Sequence, residues 1–551
     1  MITLEHDIRF SQANMWRNQR DYYHEKGINA WHKDVPSYIT SNPYIAKHYA
    51  QMVITFIEEW VKQHPEGAQE PFYFLELGAG SGQFTAYFLK SFFKLQKALS
   101  LDHIQISYVM SDVTSVSFDF WEKHAAFQPY IASGVLDFSI YDLYHDTEIH
   151  LYRSRKTITS AQLINPLIVI GNYIFDTIAT DIFTVENGEL YEEKVSFVSP
   201  EDNLQQSAPK RWDKVIMHYH RALVKEAYYH NALDKILFDY QKNLVDTHFQ
   251  FPIAVLNALA RFKTLSRDRF LLVSSDKAYT SLEELDHCDY PALEFHGSFS
   301  VMVNYHAVRE FLNMNQGDSL LQPFRRHIST GAFACGFQFS DFPRFKLVAD
   351  SAIHAFTATD YFILYDHFVS HPEQFPLEVI ASYLNLSQWD AYLFDLSIGR
   401  LSDLTDKGDP EVIAFLCNHM TCIADNFYYL PNATDTFFNI GLFFQNCGRY
   451  TEALPYYQRS LQQFGDHYAV FFNMGMCYHS LHQQAEAVRC LEKSLDCGAD
   501  PNEIKTWVST VSTNPEDSVK LLSPHGLDLR IQNRCIICKV LKFLRYSLFS
   551  R

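Results

Sequence analysis

Apolar positions change their rhythm twice along this chain. Before about residue 71 they recur at helical spacing, as in IAKHYAQMVITFIEEWVKQ, so the stretch from Met1 to Pro71 predicts mainly helix around a polar loop. Strand and helix patterns then alternate. FYFLEL reads as a buried strand and FTAYFLKSFFKLQKAL as the helix after it. ISYVMSDVT, GVLDFSIYDLY, PLIVIGNYIFD and DRFLLVSSD read as four further strands, with a helical FDFWEKHAAF between the first two of these. DIFTVENGELYEEKVSF predicts a hairpin turning at Asn187-Gly188. A long polar and helical stretch follows to about Leu265, and GAFACGFQF and DYFILYDHF are candidate late strands. Strands separated by helices predict an α/β fold, with a mostly parallel sheet covered on both faces.

From about Phe375 the strand signal fades and a 34-residue repeat takes over. Gly441 precedes Gly475 by one period, Ala453 precedes Ala487, and Tyr457 precedes Leu491. Small residues let antiparallel helices approach and large ones fill between them, which resembles the tetratricopeptide repeat; a plain helical bundle is the alternative. The domains expected are residues 1–70 as a helical, cofactor-covering segment, 71–370 as the α/β domain, 371–515 as the helical repeats and 516–551 as a basic tail. That tail reverses the sign of an otherwise acidic chain, whose net charge is −18. It predicts contact with an anionic membrane surface or an acidic partner, or else a solvated final helix. The overall charge argues against generic binding to a nucleic-acid backbone.

Ten scattered cysteines among 551 residues predict core thiols in a reducing compartment, not a disulfide framework. CNHMTC, with Cys417 and Cys422, lacks the spacing of a metal finger and a second pair, and CIIC is one lone pair, so no metal is expected. The first residues lack a secretory pattern and no run of 18 apolar residues occurs. The expectation is a cytoplasmic protein, or an effector delivered into a host cell.

The chemistry concentrates at GAGSG. Glycines let a ligand touch the main chain, and the start of the following helix offers free N–H groups. The spacing Gly78-x-Gly80-x-Gly82 is not the dinucleotide G-x-G-x-x-G, and no Lys-Ser/Thr follows to make a phosphate cradle. Glu76 stands before the first glycine, where a carboxylate suits an ammonium and would repel a pyrophosphate. Asp112 ends the second strand, placed for ribose hydroxyls. Asp142 follows the third, placed for an adenine amine. Each of these two could instead cap a helix.

FLELGAGSGQF resembles motif I of class I S-adenosylmethionine-dependent methyltransferases. The closer resemblance is to the family of the mitochondrial complex I assembly methyltransferase and its bacterial relatives. SYITSNPYIAKHYAQMVITFIEEW is similar to that family's D-F-I-T-S-P-E-I-S-x-x-F-G-E segment, IVIGNYIFDTIATDIF to its N-E-x-x-D-A-x-P segment, and FTVENGELYEEKVSF to its hairpin with a G-x-W-x-E core. The resemblance spans about Tyr22 to Tyr365. It implies a Rossmann-like methyltransferase fold, S-adenosylmethionine as cofactor, and Thr40, Glu76, Gly78, Gly80 and Gly82 as cofactor residues, to which the strand-end acids Asp112 and Asp142 are added. Asn172 and Asp176 match the segment after the fourth strand, but Tyr173 replaces the family's Glu and Thr177-Ile178-Ala179 replaces Ala-x-Pro. VSSDKAY stands where I-D-Y-G is usual. The mitochondrial member methylates protein arginine, and the missing Glu keeps guanidine methylation from being carried over.

Asn172, Tyr173 and Asp176 are the candidate catalytic group. The Asn172 oxygen could accept from an amine, Tyr173 could wall an aromatic slot, and Asp176 could hold a charged substrate or simply order the loop. His218, His220 and His306 are possible bases and equally ordinary histidines. Repeats that hold peptides favour a protein substrate. An inactive methyltransferase-fold scaffold and a small-molecule methyltransferase are the alternatives.

Overall fold

The protein is described here by a computed structural model covering residues 2–30, 38–199, 214–296, 298–325 and 328–512. The expected basic tail, with Cys535 and Cys538, lies outside the described residues. The chain divides into two units. The first holds Met1–Pro372 with two later segments, Asn385–Asp390 and Tyr428–Ala433; the second holds the remainder.

In the first unit, β1 (Ile2–Ile8), α1 (Asn14–Lys26) and α2 (Pro43–Gln63) precede β2 (Phe72–Leu77). Then come α3 (Gln83–Ala98), β3 (Ile106–Asp112), α4 (Phe118–Lys123), β4 (Leu136–Ile140) and β5 (Leu167–Asn172). An insertion brings β6 (Asp181–Glu186), β7 (Glu189–Ser199), β8 (Ile216–Leu223), α5 (Leu233–Asn243) and β9 (Asp246–Phe251). The chain continues through α6 (Ile253–Leu265), β10 (Phe270–Asp276), α7 (Tyr305–Asn313), β11 (Asp318–Leu321), β12 (Ser329–Cys335) and α8 (Ala358–Ser370).

Seven strands form one sheet in the order β11-β12-β10-β5-β2-β3-β4. The five from β10 to β4 are mutually parallel, with Leu75 of β2 level with Val109 and Val169 on its two sides. β12 runs antiparallel to both β10 and β11. The fold is therefore Rossmann-like, and the reversed β12 distinguishes it from the dinucleotide-binding order. The chain progresses outward in one direction from β2 to β4 and in the other from β5 to β10. The crevice for a ligand thus opens at the carboxyl ends of β2 and β5. Much of the aromatic content is core: Phe74, Phe88, Phe92 and Tyr108 form a ring cluster between the sheet and α3. Tyr49 of α2 meets Phe84 of α3 edge-on at 5.5 Å.

The insertion is a second, antiparallel sheet. β7 pairs with β6 along its first half and β1 along its last, while β8 follows its other edge and β9 pairs with β6. The predicted hairpin is present, with Asn187 and Gly188 at φ 53° and 76°. Three expectations fail. Ile2–Ile8 is a strand, not helix, because it completes an edge of β7. β8 and β9 lie in the stretch expected to be polar and helical. Along β8 exposed and half-buried residues largely alternate, a period the helical reading missed. DYFILYDHF belongs to α8, which a capping box of Thr357 and Asp360 starts.

The second unit is helical: α9 (Leu377–Leu386, its last two residues in the first unit), α10 (Ala391–Leu404), α11 (Pro410–Asp425), α12 (Thr436–Asn446), α13 (Tyr450–Phe464), α14 (Tyr468–Ser480), α15 (Gln484–Asp496) and α16 (Pro501–Ser512). α12–α13 and α14–α15 are the two repeat pairs. A Cβ on Gly441 would lie 2.6 Å from the Tyr457 ring, and one on Gly475 would lie 3.1 Å from Leu491. The sequence period thus marks the point where paired helices touch. No described helix is long and apolar enough to cross a membrane.

Candidate functional site

Between β2 and α3, Gly78, Gly80 and Gly82 hold φ of 60°, 54° and 78°. Side chains with a Cβ resist that left-handed region. Space is short as well: a Cβ on Gly78 would be 3.0 Å from Ile174, and one on Gly82 would be 2.9 Å from Met110. The Ala79 N–H donates to the Ser111 carbonyl at 2.8 Å and the Gly82 N–H to Ala79 at 2.8 Å. The Gly80 and Ser81 N–H groups have no acceptor among the described residues. They are donors left over at the start of a helix, where the backbone favours negative charge.

Glu76, next to last in β2, is almost fully buried. Its Oε2 accepts the hydroxyls of Thr85 and of Tyr108, the latter at 2.8 Å; Oε1 accepts nothing among the described residues. Burial pushes this carboxyl up to about 7, against the opposing pull of the two hydroxyls. Asp112 ends β3, where burial raises it to about 6 against the N–H groups of Val113 and Thr114. One of its oxygens accepts the Val113 N–H at 2.7 Å, which leaves lone pairs for further donors. Asp142 is already engaged: it accepts the Tyr144 N–H at 2.8 Å and pairs with Arg20 at 3.3 Å. Thr40 is buried in the turn before α2, whose N-cap is Asn42 with Pro43 at the first helical position.

The carboxyl ends of β5 and β10 form the other half of the crevice. The Asn172 oxygen is not open to an amine, because it accepts the Tyr49 hydroxyl at 2.7 Å and the Ser275 N–H at 3.1 Å. Its amide nitrogen donates to nothing among the described residues, so Asn172 offers a donor. Tyr173 sits at φ 48°, strained for a bulky residue, with its N–H on the Ser275 carbonyl at 3.0 Å. Asp176 is 2 % exposed and its Oδ1 has no hydrogen-bond partner among the described residues. Beside it Asp276 is wholly buried and accepts the Phe175 N–H at 2.9 Å and the Asp176 N–H at 3.3 Å. Burial raises both carboxyls, Asp176 to about 7 with Lys277 and a hydrogen bond to Asp276 opposing the rise, and the Asp176 charge pushes Asp276 up further. Sequence reasoning missed Tyr49, Ser275 and Asp276; the acid at the end of DRFLLVSSD was the available signal for the last. His306 is a core histidine bound to the Tyr240 hydroxyl at 2.9 Å, and burial lowers it to about 4. His220 lies on Ser196 at 2.7 Å. No group of His, Cys, Asp or Glu among the described residues could hold a metal ion.

Residues 433–498 match the tetratricopeptide repeat family, so the α12–α15 segment is a genuine repeat of that kind. No curated protein matches the chain. Solved structures resemble it, among them the following three. A COG1565 superfamily member from Burkholderia thailandensis bound to S-adenosyl-homocysteine has a TM-score of 0.39 and 13% identity, covering 59% of this chain and 87% of its own. A native crystal structure of an uncharacterized COG1565 superfamily protein from the same organism has a TM-score of 0.34 and 11% identity, covering 59% and 95%. Magnesium protoporphyrin IX methyltransferase from Synechocystis PCC 6803 with bound SAM has a TM-score of 0.25 and 12% identity, covering 59% and 98%. At these TM-scores the likenesses add nothing to what the strand order and the glycine turn carry.

Proposed function

We propose that the first unit binds S-adenosylmethionine at the glycine turn and that the chain is a methyltransferase acting on a protein side chain, with the repeats recruiting the substrate. The observation that carries this reading is the turn itself. Three left-handed glycines, two N–H groups without acceptors and a buried carboxylate with one open oxygen meet at the switch point of the sheet. A zwitterionic amino-acid end fits that donor and acceptor set, and a pyrophosphate does not. The motifs resembling the complex I assembly methyltransferase family support the same cofactor.

Bound, the cofactor supplies a methyl group that is already electrophilic on a sulfonium sulfur. Glu76 would hold the ammonium through Oε1, Gly80 and Ser81 would offer N–H groups to the carboxylate, and Asp112 would accept ribose hydroxyls. An adenine amine would compete with Arg20 and Tyr144 for Asp142. On the substrate side Asn172 donates to an acceptor on the incoming group. Asp176, which titrates near neutrality, receives the proton an attacking amine sheds. Tyr173 walls the slot.

Incubating the protein with methyl-labelled S-adenosylmethionine and a cell lysate tests this reading. Label is expected on a protein band; label only on small molecules would overturn the protein substrate. A second reading, a cofactor-binding scaffold without transferase activity, is favoured by the filled acceptor of Asn172. Binding without transfer to any acceptor would establish it.

A further inference from the structure

The glycine turn is held by two aromatic donors that its own motif does not contain. The Trp121 indole N–H, from α4, donates to the Gly80 carbonyl at 3.1 Å. The Tyr428 hydroxyl donates to the Ser81 carbonyl at 2.7 Å, across 347 positions of chain. Tyr428 is 5% exposed and sits in one of the two late segments that pack within the first unit. Its ring stacks on His124 at 4.1 Å and 19°, and His124 Nε2 lies 3.0 Å from the Tyr429 carbonyl. A Cβ on Gly82 would be 3.0 Å from the Tyr428 oxygen, so the hydroxyl fills the space that the missing side chain leaves.

A peptide unit is planar and trans, so its carbonyl and the following N–H point in opposite directions. Pulling the Gly80 carbonyl toward Trp121 therefore aims the Ser81 N–H the other way. Anchoring the Ser81 carbonyl to Tyr428 fixes the next peptide plane, whose N–H closes the turn on Ala79. The other late segment, Asn385–Asp390, also reaches a predicted cofactor loop. Asp390 accepts the Tyr38 hydroxyl at 2.7 Å, two residues before Thr40, and Gln388 accepts Lys47 of α2 at 2.7 Å.

We infer that Tyr428, supported by His124 and acting with Trp121, is a positioning residue that orients the peptides of the glycine turn for ligand binding. The Rossmann-like part of the chain thus borrows part of its cofactor cradle from sequence that lies between helices of the second unit. This inference rests on the reading of the turn as a cofactor site, and the test separates the two.

Full-length protein, its Tyr428→Phe and His124→Ala variants, and Tyr457→Phe as a control are titrated calorimetrically with S-adenosylhomocysteine. Amide hydrogen exchange is followed over residues 79–84 without ligand. Tyr457 is suitable because its side chain is fully buried and its hydroxyl makes a bond of similar length, to Gln445 at 2.6 Å within a repeat. Losing one hydrogen bond to the turn is expected to weaken binding about fivefold in Tyr428→Phe. Exchange should speed up over the turn, His124→Ala should shift in the same direction, and the control should match the parent. If the parent binds and both Tyr428→Phe and His124→Ala bind as tightly with unchanged exchange, the positioning role is wrong while the cofactor site stands. If the parent itself does not bind, the cofactor reading falls and this inference falls with it. Turn exchange that rises equally in the Tyr457 control would also overturn the inference, as a general loss of stability.

Discussion

Replacing Glu76 by Gln should make the free protein more stable at neutral pH and a poorer binder of the cofactor. The carboxyl is buried and rises from its ordinary 4.5 to about 7. An acid that is harder to ionise in the fold than in the unfolded chain favours the fold at low pH. That contribution is lost as pH climbs from 4.5 to 7. At about 1.4 kcal/mol per pH step, the loss across this window is about 3 kcal/mol as an upper figure. Gln keeps an oxygen for the Thr85 and Tyr108 hydroxyls but carries no charge to desolvate. The variant should therefore unfold at higher urea than the parent at pH 8, by up to about 3 kcal/mol, and converge with it near pH 4.5. Fluorescence of Trp60 and Trp121, both buried in the first unit, follows the transition. S-adenosylhomocysteine should bind the variant more weakly, since its ammonium loses a charged acceptor. A variant less stable than the parent at pH 8, or one with the same pH slope, would refute the desolvated carboxylate.

Four further outcomes follow from the same geometry. Binding of S-adenosylhomocysteine near pH 6 should release a proton, because an ammonium beside Glu76 lowers its pKa; the calorimetric heat should then vary with the ionisation enthalpy of the buffer. Gly82→Ala forces a Cβ into φ 78° and to within 2.9 Å of Met110, at about 1–2 kcal/mol for the backbone and 1–3 for crowding, so melting should fall and binding disappear. Asp176→Asn removes one of two buried acids with raised pKa, and should raise stability at pH 8 and converge with the parent near pH 3.8 in urea unfolding. Gly441→Ala drives a Cβ to 2.6 Å from the Tyr457 ring and should destabilise the repeats in a thermal melt by about 1–3 kcal/mol, whereas Gly475→Ala, whose Cβ meets Leu491 at 3.1 Å and the Ala487 carbonyl at 3.3 Å, should cost less.

Local signals in this chain were legible where one segment decides its own structure. FYFLEL, ISYVMSDVT and PLIVIGNYIFD are strands because they are buried on both faces and read as continuous apolar runs. Gly441 and Gly475 were readable because each repeat solves its packing with its own neighbour. Features that a distant partner decides were not legible. Ile2–Ile8 is a strand only because β7 offers an edge nearly two hundred residues later. Asn172 matched a motif, yet its oxygen was filled by Tyr49 and Ser275, which no spacing rule connects to it. Tyr428 gave no sign of belonging to the glycine turn, since only the fold brings it to Ser81.

The most direct measurement is calorimetric titration of the full-length protein with S-adenosylhomocysteine, alongside Gly82→Ala. One site per chain that vanishes in the variant is the predicted result. No heat from the parent, or equal binding by both proteins, would contradict a cofactor site at the turn after β2.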